Sequence, residues 1–250
     1  MPVYTADALI LRTYKLGEAD RIVVFLTRDR GKKRGVAKGA RRPRSRYMGA
    51  LEPMTRAGVA YYEREQRDLV RLNYVDPVRS PLSASTADAL GHVGYFAELI
   101  DEWAQEAHAD ERLFRLGSSM IDAVASGGPV EALARYFEYW LLRLQGVYPG
   151  LACAACGSVF EQGAAAVMPP RDHVFVCRPC APPGGGTTLS SESMGFLQRA
   201  ARLGPETAGR IPLSAGAARE LETAHRRLLT LHLEKELKSA RVIRDMRQVR

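Results

Sequence analysis

Ala19-Asp-Arg-Ile-Val-Val-Phe-Leu-Thr-Arg-Asp-Arg-Gly-Lys-Lys-Arg-Gly-Val-Ala-Lys38 decides how the first third of the chain folds. A β-branched and aromatic run over 19–27 stops at Arg28-Asp29-Arg30-Gly31, and a second extended run over 32–38 follows at once. Such runs around a tight turn predict two paired strands, with Gly31 supplying the positive φ that the turn asks for. Outward from this hairpin, residues 4–14, 55–62 and 68–75 share its Val, Ile, Leu, Thr and Tyr character. Turn signals at 16–18 and 63–67 separate them. Five short strands in about 75 residues fit a small closed barrel, OB-fold or SH3-like, without choosing its topology.

After Pro77 and Pro81 the pattern becomes helical. Ser85 or Thr86 is placed to cap a helix whose Leu90, Val93, Ala97, Ile100 and Ala104 form one stripe. Leu113, Leu116, Met120 and Val124 repeat the spacing before Gly127-Gly128-Pro129 breaks it. Val130, Leu133, Phe137, Trp140, Leu141 and Leu144 then form the strongest amphipathic helix, and two more helices are predicted over 190–203 and 217–246. Trp103 and Trp140 lie at helical spacing with aliphatic residues, so core packing is their expected role. No internal repeat is evident.

Cys153-Ala-Ala-Cys156 and Cys177-Arg-Pro-Cys180 are two CxxC pairs that use every cysteine of the chain. Two knuckles of this spacing bring four thiolates to one ion, closing a tetrahedral Zn²⁺ shell with no open position for substrate. Gly157 suits the positive φ of such a knuckle. Redox chemistry of the thioredoxin type needs a single pair, and disulfides need an oxidising compartment. His173 lies close in sequence but is superfluous beside four sulfurs. The expected architecture is therefore α+β. A five-stranded OB-fold-like barrel over 1–80 precedes an all-helical domain over 81–250, with a zinc-ribbon module inserted at about 151–183.

Among 250 residues, 46% are hydrophobic and 26% charged, an ordinary globular balance. Residues 1–15 contain no apolar secretory core, and no stretch approaches the roughly 20 apolar residues of a membrane helix, so the cytoplasm is the expected compartment. The net charge of +8 is unevenly placed: residues 1–80 hold 18 Lys/Arg against 9 Asp/Glu, and residues 81–250 hold 18 against 19. Ten of the cations (Arg28, Arg30, Lys32, Lys33, Arg34, Lys38, Arg41, Arg42, Arg44 and Arg46) fall within nineteen positions that contain one acid, Asp29. A solvated loop gains nothing from such self-repulsion, whereas a polyanion offsets it by releasing counterions. Tyr47 or Tyr14 is positioned in sequence to offer an aromatic face to a base. Nothing in the run reads sequence. GxxxxGK[ST], HExxH and GxSxG are absent, no catalytic residue is expected, and the acidic pairs Asp101-Glu102 and Asp110-Glu111 are read as solvated surface.

The order of these pieces resembles the bacterial recombination mediators of the RecO family. The likeness rests on Ala8-Leu9-Ile10-Leu11, on Leu16-Gly17-Glu18-Ala19-Asp20-Arg21-Ile22-Val23 and on the segment from Gly35 to Arg46 with its Ala37-Lys38-Gly39-Ala40-Arg41-Arg42 core. It continues through Leu51-Glu52-Pro53, Arg135-Tyr136-Phe137-Glu138, Leu141-Leu142 and Tyr148-Pro149 before the first cysteine pair. The resemblance implies an OB-fold followed by a helical domain with a zinc finger. It further implies binding of single- and double-stranded DNA, annealing without nucleotide hydrolysis, and loading of RecA at the nucleoid together with RecR and single-strand binding protein. The acidic, apolar tail of that last partner would fall on the helical domain, in a groove beside Arg135. From the residues alone two other readings stay open: a zinc-ribbon protein of the transcription or translation machinery that meets RNA, and a nuclease with unrecognised acids.

Overall fold

The computed structural model describes residues 2–63, 68–83 and 86–248. Five strands form first: β1 (Val3–Leu16), β2 (Asp20–Thr27), β3 (Gly31–Ala37), β4 (Arg56–Tyr62) and β5 (Leu69–Arg79). They close into a barrel in the order β1-β2-β3-β5-β4. All neighbours are antiparallel except β3 and β5, which pair in parallel from Arg34↔Leu69 to Val36↔Arg71. This crossed closure is that of a five-stranded Greek-key barrel; the strand count anticipated the closed barrel but not its topology. Gly31 has φ +69°, and a Cβ there would come within 2.5 Å of the His108 backbone, so the hairpin turn needs glycine twice over. The expected turn at 63–67 lies mostly outside the described residues, as does Ser85.

Alternation fills the barrel. Ala8, Ile10, Val23, Phe25, Ala37, Val59, Tyr61, Val70 and Leu72 point inward as one cluster. Leu9, Val24 and Leu26 point outward yet are also buried. They lie on strands with apolar residues on both faces, and a second layer covers them: α1 (Ala87–Trp103) and α2 (Glu111–Ala125). The layers meet closely at Gly117, where a Cβ would stand 2.7 Å from Leu9 and 2.8 Å from Ile100. Thr86 caps α1 by accepting from the Ala89 N–H.

By internal contacts the chain forms two compact units, Met1–Gly127 with Leu237–Arg250, and Gly128–Glu236. The second holds α3 (Val130–Leu144), a two-stranded sheet of β6 (Ala166–Met168) and β7 (Thr187–Leu189), α4 (Ser191–Ala200), the short α5 (Pro205–Ala208) and α6 (Ala215–Leu233). The helix expected over 217–246 is two. Glu234 takes a left-handed conformation (φ 53°), its N–H donating to Thr230 O, and α7 (Lys238–Gln248) starts afresh in the first unit. No Gly or Pro marks that break. Trp140 is half-buried, its indole N–H donating to Ala200 O at 3.0 Å.

A buried polar chain runs through the second unit. Arg135 Nη2 lies 3.1 Å from Glu138, Glu138 Oε2 is 2.8 Å from His225 Nδ1, and His225 Nε2 is 2.9 Å from the Tyr148 hydroxyl. This corrects the expectation of a groove beside Arg135. The Arg135 side chain is 4% exposed, because it sits one helical turn from Glu138 on the inward face of α3. Burial, aided by the charge of Arg135, lowers His225 below its ordinary range in spite of the Glu138 hydrogen bond. Burial also holds the Tyr148 phenol well above its own. The neutral imidazole therefore donates from Nδ1 to Glu138 and accepts at Nε2 from Tyr148.

Two outcomes are expected. Glu138→Ala leaves Arg135 an uncompensated buried charge and should cost about 3–5 kcal/mol in denaturant unfolding. Because the unfolded chain protonates His225 near pH 6.5 while the folded chain resists, its stabilising contribution is complete above about pH 6.5 and declines below it. Unfolding curves from about pH 8 to pH 5 should show that decline, and His225→Gln should flatten it. An equally steep profile in the variant contradicts the assignment.

Candidate nucleic-acid interface and metal centre

The cations of the β2–β3 hairpin and of β3 have intramolecular partners. Arg28 donates from Nε and Nη2 to Glu111 at 3.1 and 2.6 Å, which holds the Glu111 carboxyl below its usual range. Arg30 lies 4.3 Å from the centre of the Tyr4 ring and 3.6 Å from Asp29. Lys32, with a side chain 12% exposed, reaches the carbonyl of Asp101 at 2.6 Å and its carboxylate at 3.3 Å. Arg12 meets the same carboxylate at 2.6 Å. Lys33 pairs with Glu63 at 2.6 Å, and Arg34 with Glu106 at 3.3 Å. On β4 and β5, Arg56 and Arg79 flank Asp122 at 3.8 and 3.3 Å.

Apart from Asp29 and Glu63, these acids come from the helical layer and the segment that joins its helices. Residues 81–127 hold 8 Asp/Glu against 2 Lys/Arg, a local deficit concealed when 81–250 is counted as one block. Asp101 and Glu111, expected to be solvated, bind cations of the barrel instead. Asp110 accepts from the Leu113 N–H at 2.9 Å and caps α2. These carboxylates fasten a layer, and they do not converge as a two-metal site does.

The remainder of the run behaves differently. Between β3 and β4 the chain makes a succession of turns, and Lys38, Arg41, Arg42, Arg44 and Arg46 are all exposed there. Among the described residues Lys38, Arg42 and Arg44 enter no ion pair and no side-chain hydrogen bond. The loop is nevertheless fixed. Gly39 N–H donates to Asp20 Oδ1 at 2.8 Å, and Arg41 donates from Nη1 to the carbonyls of Gly17 and Glu18 at 3.0 and 2.9 Å.

Tyr47 is the second fastening, and here the structure corrects the sequence reading. Its ring is 2% exposed inside the barrel cluster, and its hydroxyl donates to Leu72 O at 3.0 Å, so it offers no face to a base. A large apolar ring with a reachable carbonyl partner gains more by entering the core than by standing in water. The Arg46 guanidinium lies over the ring, 5.0 Å from its centre. Tyr14, by contrast, is 45% exposed. The strand register sets it in an outward row with Ile22, Val36 and Arg71. Arg71 was not singled out from the sequence, although its place between the inward Val70 and Leu72 already pointed it outward.

In the second unit the four cysteine sulfurs lie within 4.8 Å of one another. Cys156 Sγ and Cys177 Sγ are 3.9 Å apart, close to the roughly 3.8 Å edge of a tetrahedron with 2.3 Å metal–sulfur bonds. The knuckle geometry is in place: Gly157 has φ +76°, Gly157 N–H donates to Cys153 O, and Cys177 N–H donates to Cys153 Sγ at 3.3 Å. Hydrogen bonds from the N–H groups of Cys177, Cys156 and Ala155 bring the Cys153 thiol down to about 6. Hydrogen bonds to Cys177 and Cys156, together with burial and the nearby Cys153, push the Cys180 thiol up to about 12. A central dication removes that mutual penalty, so the donor set fits a metal ion. His173 is not among the grouped donors.

If Asp101 joins barrel and helix, Asp101→Asn should cost about 1–3 kcal/mol of stability by leaving Lys32 without its charged partner. Tyr47→Phe should cost about 1 kcal/mol and Tyr47→Ala about 3–5 kcal/mol. Denaturant unfolding measures all three. A Tyr47→Ala protein as stable as the parent contradicts the buried anchor.

The comparisons with known proteins agree along the chain's length. The family model described as Recombination protein O N terminal matches residues 1–81, and that described as Recombination protein O C terminal matches residues 84–241. The chain is 35% identical over 243 residues to a DNA repair protein RecO of Anaeromyxobacter sp. (strain K), covering 95% of this chain and 94% of that protein. It is 38% identical over 195 residues to that of Geobacter sulfurreducens, covering 77% and 78%. It is 40% identical over 164 residues to that of Koribacter versatilis, covering 64% and 66%. Among the described residues no helix is long and apolar enough to cross a membrane. A closed five-stranded barrel, a helical part with a four-cysteine centre and two family models in that order leave one conclusion: the chain belongs to the RecO family, and its role lies in DNA repair by recombination.

Proposed function

We propose that this protein binds single- and double-stranded DNA through the exposed loop 38–46, anneals complementary strands without catalysing a covalent step, and with RecR helps RecA load in the cytoplasm, at the nucleoid. The observation that carries the reading is the contrast between two sets of cations. Those at 28–34 mostly have acidic partners within the protein, whereas Lys38, Arg42 and Arg44 stand exposed without one on a loop fastened at both sides. Cations on a held backbone neutralise phosphates without a large ordering cost, and they read no sequence. Arg41 and Arg46 contribute the guanidinium nitrogens their internal contacts leave over, and the half-exposed Arg28, Arg30 and Arg34 border the path. Tyr14 and Arg71 supply stacking surface.

Annealing follows from the same electrostatics. Two single strands repel, and a basic surface that holds both lowers that repulsion without a nucleotide cofactor. We further infer that the residue-80 charge step separates a DNA-binding part, 1–80, from a part, 81–250, that gives docking surface to RecR and to the tail of single-strand binding protein. One structural Zn²⁺ on Cys153, Cys156, Cys177 and Cys180 would hold the short ribbon, whose two three-residue strands bury little apolar area by themselves.

In a fluorescence titration, Lys38→Ala/Arg42→Ala/Arg44→Ala should weaken binding to single-stranded DNA and reduce the slope of log K against log salt by about 2, three contacts at roughly 0.7 each. Annealing of complementary oligonucleotides should slow in parallel. Unaltered affinity and slope refute the loop as the binding surface, and a strong preference for structured RNA moves the protein to another class. Metal analysis should find one zinc per chain, and Cys177→Ser should abolish it while the barrel keeps its DNA affinity. A folded chain without zinc contradicts the metal assignment.

A further inference from the structure

Within the first unit, cations outside the loop tend to have acidic partners, so a second basic segment is informative. Residues 237–250 hold five Lys/Arg (Lys238, Arg241, Arg244, Arg247 and Arg250) against one acid, Asp245. Counting 81–250 as a block hides this group, because the acids of the α1–α2 segment cancel it. Lys238 and Arg241 are exposed, and among the described residues their side chains enter no ion pair. Three residues apart on a helix, they are neighbours on one face.

This helix is held in place. The Glu98 carboxylate of α1 accepts from the backbone N–H of Lys238 at 3.1 Å, from that of Ser239 at 2.8 Å and from the Ser239 hydroxyl. It thereby satisfies donors that the first turn of α7 leaves open. Leu237 and Ile243 are buried, and Ile243 and Met246 pack beside Gly91. A helix that needed only solubility would have no use for a carboxylate cap and a buried apolar edge beneath its cations.

We propose that α7 is a second phosphate-binding surface of the barrel unit, with Lys238 and Arg241 engaging the backbone of nucleic acid whose other part lies on the 38–46 loop. The inference rests on the loop reading. It adds a second point of attachment, which favours ligands long enough to reach both or two strands held at once.

The test uses the full chain and two lengths of oligo(dT): one of about 10 nucleotides, within the site size of a single OB-fold, and one several times longer. Lys238→Glu/Arg241→Glu should leave the short oligonucleotide's affinity within about twofold of the parent. For the long one it should lower the salt slope by about 1 to 1.5, two contacts at roughly 0.7 each, and slow annealing. Lys238→Gln/Arg241→Gln gives the same direction with a smaller loss, should the reversed charges disturb folding. Parental affinity and slope on the long oligonucleotide, while the loop variant loses both, overturn the inference and leave the loop reading standing. If the loop variant is also unaffected, both readings fall. Loss of poly-L-glutamate binding with DNA binding intact assigns the helix to an acidic protein and overturns the proposal as well.

Discussion

Asp101 stands between two cations of the barrel, Arg12 at 2.6 Å and Lys32 at 3.3 Å, and the architecture of the first unit depends on that sharing. A five-stranded barrel rich in Lys and Arg repels itself. Here a helical layer with a deficit of six charges packs against the barrel, and Asp101, Glu106, Glu111 and Asp122 each take at least one cation. The apolar contacts of Leu9 and Gly117 give this interface its area, and the ion pairs fix its register. Most of the pairs are exposed and individually weak. Lys32 is the exception: with its carbonyl and carboxylate partners and little solvent, it would be a buried unpaired charge if the helix moved away.

Internal neutralisation is what makes the remaining charge useful. A uniformly basic barrel would bind polyanions in many orientations, whereas a barrel whose cations are mostly paired presents phosphate with a defined path. The loop 38–46 is also cheap to order, because Tyr47, Asp20 and Arg41 have already fixed its backbone before any ligand arrives. Its sequence neutrality is a direct consequence. Exposed guanidinium and ammonium groups meet phosphates at any base, and nothing beside them presents the fixed donor and acceptor pattern that base edges require. Annealing of arbitrary complementary strands, as proposed for this protein, would need that indifference.

Most of the fold was legible in the sequence, and the exceptions share a cause. Strand positions followed from β-branched and aromatic runs between turn signals such as that at Gly31, and the two CxxC pairs announced the four-sulfur cluster because each knuckle turns both of its thiols to one point. The break at Glu234 carried no Gly or Pro, and it depends on Glu98, more than a hundred residues earlier, accepting from the first turn of α7. Tyr47 and Arg135 were misjudged for one reason: sequence adjacency to cations, or to an apolar stripe, says nothing about which side chains the tertiary structure draws inward. Tyr47 had a carbonyl within reach, and Arg135 had Glu138 one turn away. The helical acids were visible as residues but invisible as partners, since their charge was averaged with that of a distant basic helix.

The contrast between the two units says where chemistry is concentrated. In the second, the titratable groups face one another: Arg135 with Glu138, Glu138 with His225, His225 with Tyr148, and four thiols around one centre. Each needs its neighbour, and a change at one site exposes the cost of the next, so these groups are committed to stability. In the first unit the paired cations obey the same logic, but the loop does not. Lys38, Arg42 and Arg44 follow one another closely in sequence, and among the described residues no acid pairs with them. The self-repulsion that the helical layer relieves elsewhere in the unit is left in place on this loop.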